Sequence, residues 1–405
     1  MSVLQRSSER PFGGFHLGAY LKNVDWLLFF VTMALAGFGL AMIYSASYQD
    51  SNIARPTAYV DAQLVGLVLG FLGMVVLSLF DFAWLTSWRR YLYGFTIALL
   101  LVTLVVGEER MGVRRWIALS FIDLQSSELA KLLIIASFGA FLAEGVELRG
   151  RFRFILQATA YVGVPAALVF VQPDLGTSLV FLVIYFTMLL VWGARWSHLA
   201  VVVGTLLAVA VAVLRVLPAT FGVHLLKPYQ IERLMVFVDP QVDAGDAGYQ
   251  LAQSKIAVAS GMVTGKGFME GTQTHLNFLP AHHTDFIFSV VGEELGFVGA
   301  ALLLGLYLLL LWRAFRIAAE SKNLYGSLLA AGVIGVLLFQ VFVNVGMTIG
   351  IMPITGLPLP FISFGSSSLV TFLLASGLLQ SVHIHSRVAL YGGRVKGEPY
   401  GQLAT

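Results

Sequence analysis

The hydrophobic positions of this chain form long, nearly uninterrupted apolar runs separated by short polar segments. A helix needs about 20 mostly apolar residues to cross the hydrocarbon layer of a membrane. Ten such runs begin near Trp26, Leu64, Tyr91, Leu129, Ile155, Leu175, Leu199, Phe286, Leu324 and Ser366. Runs of this length are too long for the strands of a membrane barrel. The predicted fold class is therefore all-α, a polytopic integral membrane protein with about ten transmembrane helices.

Composition agrees with a membrane protein. Of the 405 residues, 58% are hydrophobic and 12% are charged, whereas a soluble domain carries about 25% charged residues. Cysteine is absent, which excludes disulfides, thiol nucleophiles and zinc–thiolate sites. The net charge of +3 does not indicate nucleic-acid binding, because the basic residues form short clusters between the apolar runs. The first 22 residues show no cleavable signal peptide, so we expect the first run to remain as an anchor.

Lysine and arginine positions predict the orientation. Basic clusters precede the first run and follow the second, fourth, sixth, eighth and tenth runs: Arg6, Arg10 and Lys22; Arg89 and Arg90; Arg149, Arg151 and Arg153; Arg195; Arg313, Arg316 and Lys322; Arg387, Arg394 and Lys396. If the spans alternate, these clusters share one side, which the positive-inside rule assigns to the cytoplasm. We predict cytoplasmic tails at 1–23 and 387–405 around a transmembrane domain at 24–386.

Several connections on the predicted outer side are unusual. Glu108–Ser127 is rich in charged residues, and Gln172–Asp174 is a polar turn between two apolar runs. Residues 218–284 form a large extracytoplasmic loop, long enough for structure of its own. Within it, Tyr249–Ser260 has the pattern of a short amphipathic helix that could lie along the outer interface. Gly350–Ser368 is rich in Gly and Pro, and irregular backbone at this depth must be buried in protein or line a cavity.

The leading candidate for chemistry lies where the eighth run begins. An ionisable group costs roughly 2.5–3.5 kcal/mol at mid-bilayer, so its position needs a reason. Thr284 could cap the helix, with Asp285 in the first turn. Alternatively, the Asp285 carboxylate could face an outer cavity and act as a general base. The glycines Gly292 and Gly296, on the same helical face, favour close packing, and the pair Glu293–Glu294 is expected to tie helices together.

A second polar cluster surrounds the start of the fourth run. Glu128 and Lys131 stand three residues apart, so they can pair on one helical face. The alternative is that Arg114, Arg115 or Lys131 binds an anionic headgroup. Elsewhere, Asp174 and the basic residues of the long loop have a solvated surface role as the default.

Two apparent motifs are rejected. Gly261–Gly267 lacks the spacing of a phosphate loop and the Ser or Thr that follows its lysine. His282, His283 and Asp285 could be drawn as a metal triad, but the adjacent histidines point to different faces.

Seven segments together resemble one family. They are GVRRW (Gly112–Trp116), QSSELAK (Gln125–Lys131), QPDLGTS (Gln172–Ser178), YQIERL (Tyr229–Leu234), GYQLAQSKIAVASG (Gly248–Gly261), LPAHHTDFIFSVVGEELG (Leu279–Gly296) and PITGLPLPFISFGSSS (Pro353–Ser368). In this order, they identify the chain as similar to the SEDS family of cell-wall polymerases, nearer to its RodA branch than to its FtsW branch. The resemblance runs from about Asp25 to Arg387.

The resemblance implies a peptidoglycan glycosyltransferase of the bacterial cytoplasmic membrane. It would polymerise lipid II into β-1,4-linked glycan strands at the outer face during cell elongation and shape maintenance. Asp285 is the implied catalytic residue and could also hold Mg²⁺ or Mn²⁺. The implied substrate-binding residues are Arg114, Arg115, Trp116, Glu128, Lys131, Asp174, Arg233, Lys255, Thr284, Ser363 and Ser366. The implied partners are lipid II, the nascent glycan strand, a class B penicillin-binding protein and other membrane proteins of the elongation complex.

Two other functions fit the same sequence. A flippase that moves lipid II across the membrane also needs polar residues within a helical bundle. It needs them at both faces, however, whereas here they concentrate on the predicted outer side. A scaffold without chemistry that recruits a transpeptidase is the third alternative.

Overall fold

The ten predicted spans are present. The structure, a computed structural model, describes residues 22–48, 57–110, 113–119, 122–222, 226–238, 247–275, 278–279 and 282–394. Within these ranges, ten helices are long and apolar enough to cross a membrane, and the chain is a multi-pass membrane protein. Each span begins within six residues of its predicted start. The largest difference is at the second span, which was predicted near Leu64 and begins at Ala58.

The helices have the following bounds in chain order: α1 (Trp26–Tyr48), α2 (Ala58–Leu79), α3 (Trp84–Ser87), α4 (Arg89–Val106), α5 (Ser126–Glu144), α6 (Phe152–Val171), α7 (Leu175–Trp192), α8 (Trp196–Val211), α9 (Leu217–Phe221), α10 (Pro228–Val238), α11 (Ala247–Ser260), α12 (Thr272–His275), α13 (Ile287–Glu320), α14 (Leu324–Ile349) and α15 (Ser366–Arg394). A 3₁₀ turn, Val146–Leu148, follows α5. A π-helical turn, Ala212–Val216, joins α8 and α9 into the seventh span.

Helices α5, α14 and α15 form the centre of the bundle, since they are the most buried of the described spans. Helix α2 packs against α15 through glycines. A Cβ on Gly70 would lie 2.5 Å from Leu373 Cδ1, and one on Gly377 would lie 2.6 Å from the Met74 carbonyl oxygen. Small residues let helix backbones approach closely, which stabilises contacts between helices in lipid.

One end of the bundle, which we call the basic end, carries the basic clusters. The Arg313 guanidinium of α13 pairs there with the Asp25 carboxylate before α1. Gln380 Nε2 of α15 donates to the Asp25 carbonyl oxygen at 2.7 Å, and Arg89 pairs with Glu144 at 2.7 Å. The first two contacts join the start of α1 to α13 and α15, and the third joins α4 to α5. The opposite end, where α13 begins, is called the Asp285 end.

A small antiparallel sheet, which the sequence analysis did not predict, connects α4 to α5 at the Asp285 end. Its strands are β1 (Glu108–Arg110), β2 (Val113–Leu119) and β3 (Ile122–Gln125), in the order β1-β2-β3. The Gln125 backbone N–H donates to Ser367 Oγ of α15 at 3.0 Å. Ser367 Oγ in turn donates to the Asp123 carbonyl oxygen at 2.5 Å. The sheet is therefore fastened to the start of α15, while the spanning part of the chain is all-α.

The long outer loop packs along α13. Ser254 Oγ of α11 donates to the Thr348 carbonyl oxygen of α14 at 2.8 Å and lies 2.6 Å from Ser289 Oγ of α13. Val258 packs directly on Gly292, since a Cβ added to Gly292 would lie 3.2 Å from Val258 Cγ2. The predicted helix is present, but its amphipathic pattern did not predict this docking onto two spans.

Helix α13 breaks at Gly296, which has φ 63° and ψ −159°. The segment Gly261–Gly267 supplies partners for the main chain around the break. Phe297 N donates to the Met262 carbonyl oxygen at 2.9 Å, and Gly267 N donates to the Glu294 carbonyl oxygen at 3.0 Å. Backbone groups in a low-dielectric region need such partners. The segment therefore completes a broken helix, which agrees with its rejection as a phosphate loop.

Two acidic residues beside this break tie elements together, as predicted. Glu293 Oε1 accepts a hydrogen bond from Lys266 Nζ at 2.6 Å. Glu294 Oε2 accepts one from Ser45 Oγ of α1 at 2.6 Å. Both carboxylates are fully buried, and buried charges of this kind require such partners.

Candidate active site

The segment before α13 is held in place through three consecutive main-chain carbonyls, each of which accepts a hydrogen bond. Phe364 N donates to the His283 carbonyl oxygen at 2.9 Å. Ser363 Oγ donates to the Thr284 carbonyl oxygen at 2.7 Å. Asn344 Nδ2 of α14 donates to the Asp285 carbonyl oxygen at 2.9 Å. We call these three contacts the carbonyl clamp. It fixes the backbone of Asp285 from α14 and from the connection between α14 and α15.

The capping alternative for Thr284 and Asp285 is wrong. Helix α13 begins at Ile287, and its N-cap residue, Phe286, makes no side-chain capping bond. Thr284 and Asp285 therefore precede the helix, because the carbonyl clamp holds them in a turn. A cap needs non-helical backbone directly before the first helical residue, and neither residue occupies that position.

Asp285 shares a small space with Arg233. Both residues are partly exposed. A Cβ on Gly356 would lie 3.3 Å from an Arg233 guanidinium nitrogen and 3.4 Å from Asp285 Oδ2. Gly356 has φ +70°, a conformation that glycine adopts without steric cost. Because Gly356 has no side chain, there is room beside the Asp285 carboxylate. Arg233 of α10 supplies a positive charge there.

A second guanidinium reaches the same region from β2. Arg115 donates to the carbonyl oxygens of Gln172, at 3.1 Å from Nε, and of Pro173. Its NH2 also lies 3.4 Å from the Tyr229 hydroxyl, which donates to the Pro173 carbonyl oxygen at 2.9 Å. The Tyr229 ring lies 5.8 Å from the Arg233 guanidinium carbon, a cation–π distance. The sheet, the turn before α7 and α10 therefore meet beside Asp285.

Asp174, in that same turn, has mainly a structural role. Its Oδ1 accepts from Thr177 N at 3.1 Å, so it caps α7. Its Oδ2 accepts from Gln125 Nε2 at 3.3 Å and lies 4.0 Å from Arg115 NH1.

The charges around Asp285 act on its protonation. Asp285 precedes the transmembrane span. Burial raises the pKa of its carboxyl above the ordinary value, the positive charges of Arg233 and Arg115 lower that pKa, and the Asp174 carboxylate raises it. The net direction is upward. A carboxyl with a raised pKa is a stronger base once ionised, which suits proton abstraction.

The predicted pair of the fourth span forms. Lys131 Nζ lies 2.7 Å from Glu128 Oε1, and each side chain is 1% exposed. The ammonium also lies 5.5 Å from the centre of the Phe372 ring of α15. The pairing alternative is confirmed. Both groups are buried in the bundle, so a headgroup at the described surface would not contact them.

The remaining predicted residues are dispersed. The Lys255 ammonium lies against Gly350 at the end of α14. Ser363 belongs to the carbonyl clamp, and Ser366 Oγ donates to the Ala62 carbonyl oxygen of α2 at 2.9 Å. Trp116 is half-buried in β2, opposite Glu108 and Gln125. The side chain of Arg114 lies outside the described part.

Sequence reasoning missed three contributors: Asn344, Gly356 and Tyr229. Asn344 had a usable signal, because an amide within an apolar span is costly unless it is bonded. Gly356 and Tyr229 lie in two of the segments that carry the resemblance, but their contacts could not be predicted, since these depend on how distant segments meet.

The described residues offer little to a metal ion. No group of three or more His, Cys, Asp or Glu side chains among them could hold one. Both ring nitrogens of His282 face carbonyl oxygens, those of Leu279 at 2.7 Å and Ala46 at 2.9 Å. The Asp285 carboxylate is a suitable oxygen ligand for Mg²⁺ or Mn²⁺. It fits one coordination position, so the remaining ligands would come from substrate and water.

Comparison with known proteins gives consistent matches over most of the chain. The family model for FtsW, RodA and SpoVE, described as "Cell cycle protein", matches residues 25–388. The peptidoglycan glycosyltransferase MrdB of Escherichia coli K12 is 34% identical over 366 residues, covering 90% of this chain and 95% of MrdB. The stage V sporulation protein E of Bacillus subtilis is 36% identical over 368 residues, covering 90% and 98%.

A solved structure agrees with these matches. It is described as "Structural coordination of polymerization and crosslinking by a peptidoglycan synthase complex". The matched chain superposes with a TM-score of 0.74 at 34% identity, covering 90% of this chain and 98% of that one. The similar identities to MrdB and to the sporulation protein do not separate the branches of the family. On the family model and these relatives together, the chain belongs to the FtsW/RodA/SpoVE family, the SEDS family.

Proposed function

We propose that this protein is a peptidoglycan glycosyltransferase that polymerises lipid II, with Asp285 as its general base. The observation that carries the proposal is the Asp285 carboxylate, which lies beside the guanidinium groups of Arg233 and Arg115 on a backbone that the carbonyl clamp holds in place. The name of the 34% identical MrdB, a peptidoglycan glycosyltransferase, supports this activity over the flippase and scaffold alternatives.

The reaction is a single displacement. The acceptor sugar offers its 4-hydroxyl, and the donor carries pyrophosphate on its anomeric carbon in the α configuration. Asp285 removes the hydroxyl proton as the oxygen bonds to the anomeric carbon, and the bond to pyrophosphate breaks. One displacement inverts the configuration and gives the β-linkage, so one base suffices, unlike the carboxylate pair of a glycosidase. General-base assistance of this kind contributes about 10²–10⁴-fold in rate.

The leaving pyrophosphate needs positive charge. Arg233 lies nearest to Asp285, and Arg115 is held in the same region by two carbonyl oxygens. Preorganised charges aimed at a developing anion are usually a large catalytic term. Mg²⁺ or Mn²⁺, if bound at Asp285, would supply further positive charge to the pyrophosphate.

The cellular setting follows from charge distribution and resemblance. The positive-inside rule places the basic end in the cytoplasm, so the Asp285 end faces outward from the bacterial cytoplasmic membrane. The RodA-like segments support a role in cell elongation and shape. The similarity to a chain of a peptidoglycan synthase complex supports a class B penicillin-binding protein as partner.

The direct test uses the purified full chain with labelled lipid II. Asp285→Asn keeps the size of the side chain but removes the base, so glycan strands should disappear. Asp61→Asn, an exposed carboxylate at the start of α2, should polymerise normally. Full polymerisation by Asp285→Asn would overturn the catalytic assignment. Lipid II translocation by reconstituted protein without glycan product would support the flippase instead, and resistance to chelators would remove the metal.

A further inference from the structure

Two arginines at the basic end lack the carboxylate partners that neutralise other arginines there. Arg89 and Arg313 each pair with a carboxylate. Arg149 lies in the connection from α5 to α6, and Arg195 lies in the connection from α7 to α8. Within the described part of the chain, neither of these guanidinium groups forms an ion pair or a hydrogen bond. Glu147, the acidic residue of the first connection, forms no ion pair with them.

Each of the two guanidinium groups lies against the other connection. A Cβ added to Gly193 would lie 4.0 Å from the Arg149 guanidinium carbon. A Cβ added to Gly150 would lie 3.2 Å from Arg195 NH2. Gly150 directly follows Arg149, and Arg195 is two residues after Gly193, so both charges lie where the two connections meet. Like charges at one place repel each other unless an anion lies beside them.

Arg149 is held on a rigid support. Its guanidinium carbon lies 5.7 Å from the centre of the Trp192 ring, a cation–π distance. Trp192 is 0% exposed, and its Nε1 donates to the Leu142 carbonyl oxygen at 2.7 Å. Arg149 Nε is enclosed and has no acceptor among the described residues. A charge that is partly removed from water needs a counter-charge. Arg149 as a whole remains partly exposed, so a ligand can supply one.

The surface beside these two arginines is apolar and faces outward from the bundle. Trp196 follows Arg195 at the start of α8 and is 78% exposed. Phe152 begins α6, and Leu156 lies one turn further along the same face; both are exposed. On a spanning helix, exposed apolar side chains contact acyl chains, and tryptophan at the end of a span lies at the headgroup level. The two guanidinium groups therefore lie at the depth of the phospholipid phosphates.

We propose that the α5–α6 and α7–α8 connections form a binding site for the phosphate group of an anionic phospholipid. Phosphate oxygens accept charge-assisted hydrogen bonds from guanidinium groups, and basic pockets between spanning helices are typical binding sites for anionic headgroups. A zwitterionic headgroup is less suitable, because the two arginines would repel its cationic group.

The bound lipid bridges the starts of α6 and α8. In α8, Leu199 and Val202 are the only buried residues among those described, so this helix has few packing contacts of its own. A lipid at its first turn would therefore stabilise its position. This proposal depends neither on the catalytic assignment nor on which face of the membrane is cytoplasmic.

Native mass spectrometry of the purified full chain tests the site. The protein in detergent is titrated with phosphatidylglycerol or with phosphatidylcholine of the same acyl chains, and the first bound lipid is quantified. We expect several-fold tighter binding of phosphatidylglycerol. Equal affinity for the two lipids would overturn the proposal without any need for a variant. Displacement of the bound lipid by an equal concentration of soluble glycerol phosphate would assign a free-phosphate site instead, against the lipid.

Three variants locate the binding. Arg149→Gln combined with Arg195→Gln should weaken phosphatidylglycerol binding by about 25-fold, and Arg195→Gln alone by about fivefold. The single variant leaves the contact of Arg149 with Trp192 in place, so it tests the site even if the double variant folds poorly. Arg316→Gln is the matched control, because Arg316 is also exposed at the basic end but is paired with Glu320. It should bind like the wild type. Unchanged binding in Arg195→Gln, or an equal loss in Arg316→Gln, would contradict a specific site.

Discussion

At the scale of single residues, Asp285 depends on neighbours that are distant in sequence. Its backbone is held by Asn344 and its charge is balanced by Arg233, while Gly356 leaves space beside it. These contacts join α10, α14 and the connection before α15 at one carboxylate. Changes to the neighbours should therefore alter the chemistry of Asp285 in separable ways.

Arg233→Met should move the acid limb of the pH–rate profile to higher pH. The Arg233 charge lowers the pKa of Asp285, so its removal raises that pKa further. The base works only when ionised, so activity is lost earlier as pH falls. Lys255→Met, which removes a charge that lies against Gly350, should leave the inflection in place. An unmoved or lowered inflection in Arg233→Met would contradict the assignment of Asp285 as the base.

Asn344→Leu should lower kcat by about 10²-fold with little change in KM. The variant loses the bonds to the carbonyl oxygens of Asp285 and Leu357, and a misplacement of about 1 Å can cost that much in rate. Asn323→Ala is the matched control, because Asn323 also bonds through its side chain but caps the other end of α14. It should cost about 1 kcal/mol of stability and leave kcat unchanged. Equal kcat losses in both variants would indicate a general folding defect.

Part of the site could be predicted residue by residue. Asp285 and the Glu128–Lys131 pair were found because charges within apolar runs are costly. The cap at Thr284 was predicted wrongly, since local spacing takes no account of a backbone held from α14 and the connection after it. The resemblance implied substrate contacts for Ser363 and Ser366, whereas both hydroxyls donate to main-chain carbonyls.

At the scale of elements, hydropathy located every span because each apolar run is long. It placed α2 late because Asp61 and Gln63 interrupt the apolar pattern of its first turns. It gave no indication of the β1–β3 sheet, whose strands are short and carry charged residues. The contact of α11 with α13 could not be predicted either, because it consists of a pair of serines and a valine packed on a glycine.

Gly296→Ala should destabilise the protein by about 1–3 kcal/mol, the usual cost of a strained backbone conformation. Gly296 has φ +63°, and its added Cβ would lie 2.3 Å from Gly265 N. Hydrogen exchange should rise in Met262–Gly267, whose bonds to α13 would open. Gly305→Ala, in the same helix with open space around it, should stabilise slightly, by about 0.5–1 kcal/mol. Identical melting of the two variants would show that the break at Gly296 carries no strain.

At the scale of the whole molecule, polar groups that suit chemistry gather at one end and basic clusters at the other. The chain has no cysteine, so single introduced cysteines report sidedness directly. Glu232 is exposed on α10 at the Asp285 end, and Glu147 is exposed at the basic end. In intact cells, an impermeant maleimide should label Glu232→Cys, and it should label Glu147→Cys only after permeabilisation. The reverse pattern would invert the proposed orientation.

The carbonyl clamp also constrains when the site can exist during synthesis. Asn344 follows Asp285 by 59 residues, and Ser363 follows Thr284 by 79. A ribosome therefore releases the carboxylate well before the groups that orient it. A nascent chain arrested after its eighth span would carry Asp285 without Asn344 and Ser363, which hold the backbone around it. Competence for chemistry is then acquired late, once α14 and the connection that follows it have been synthesised.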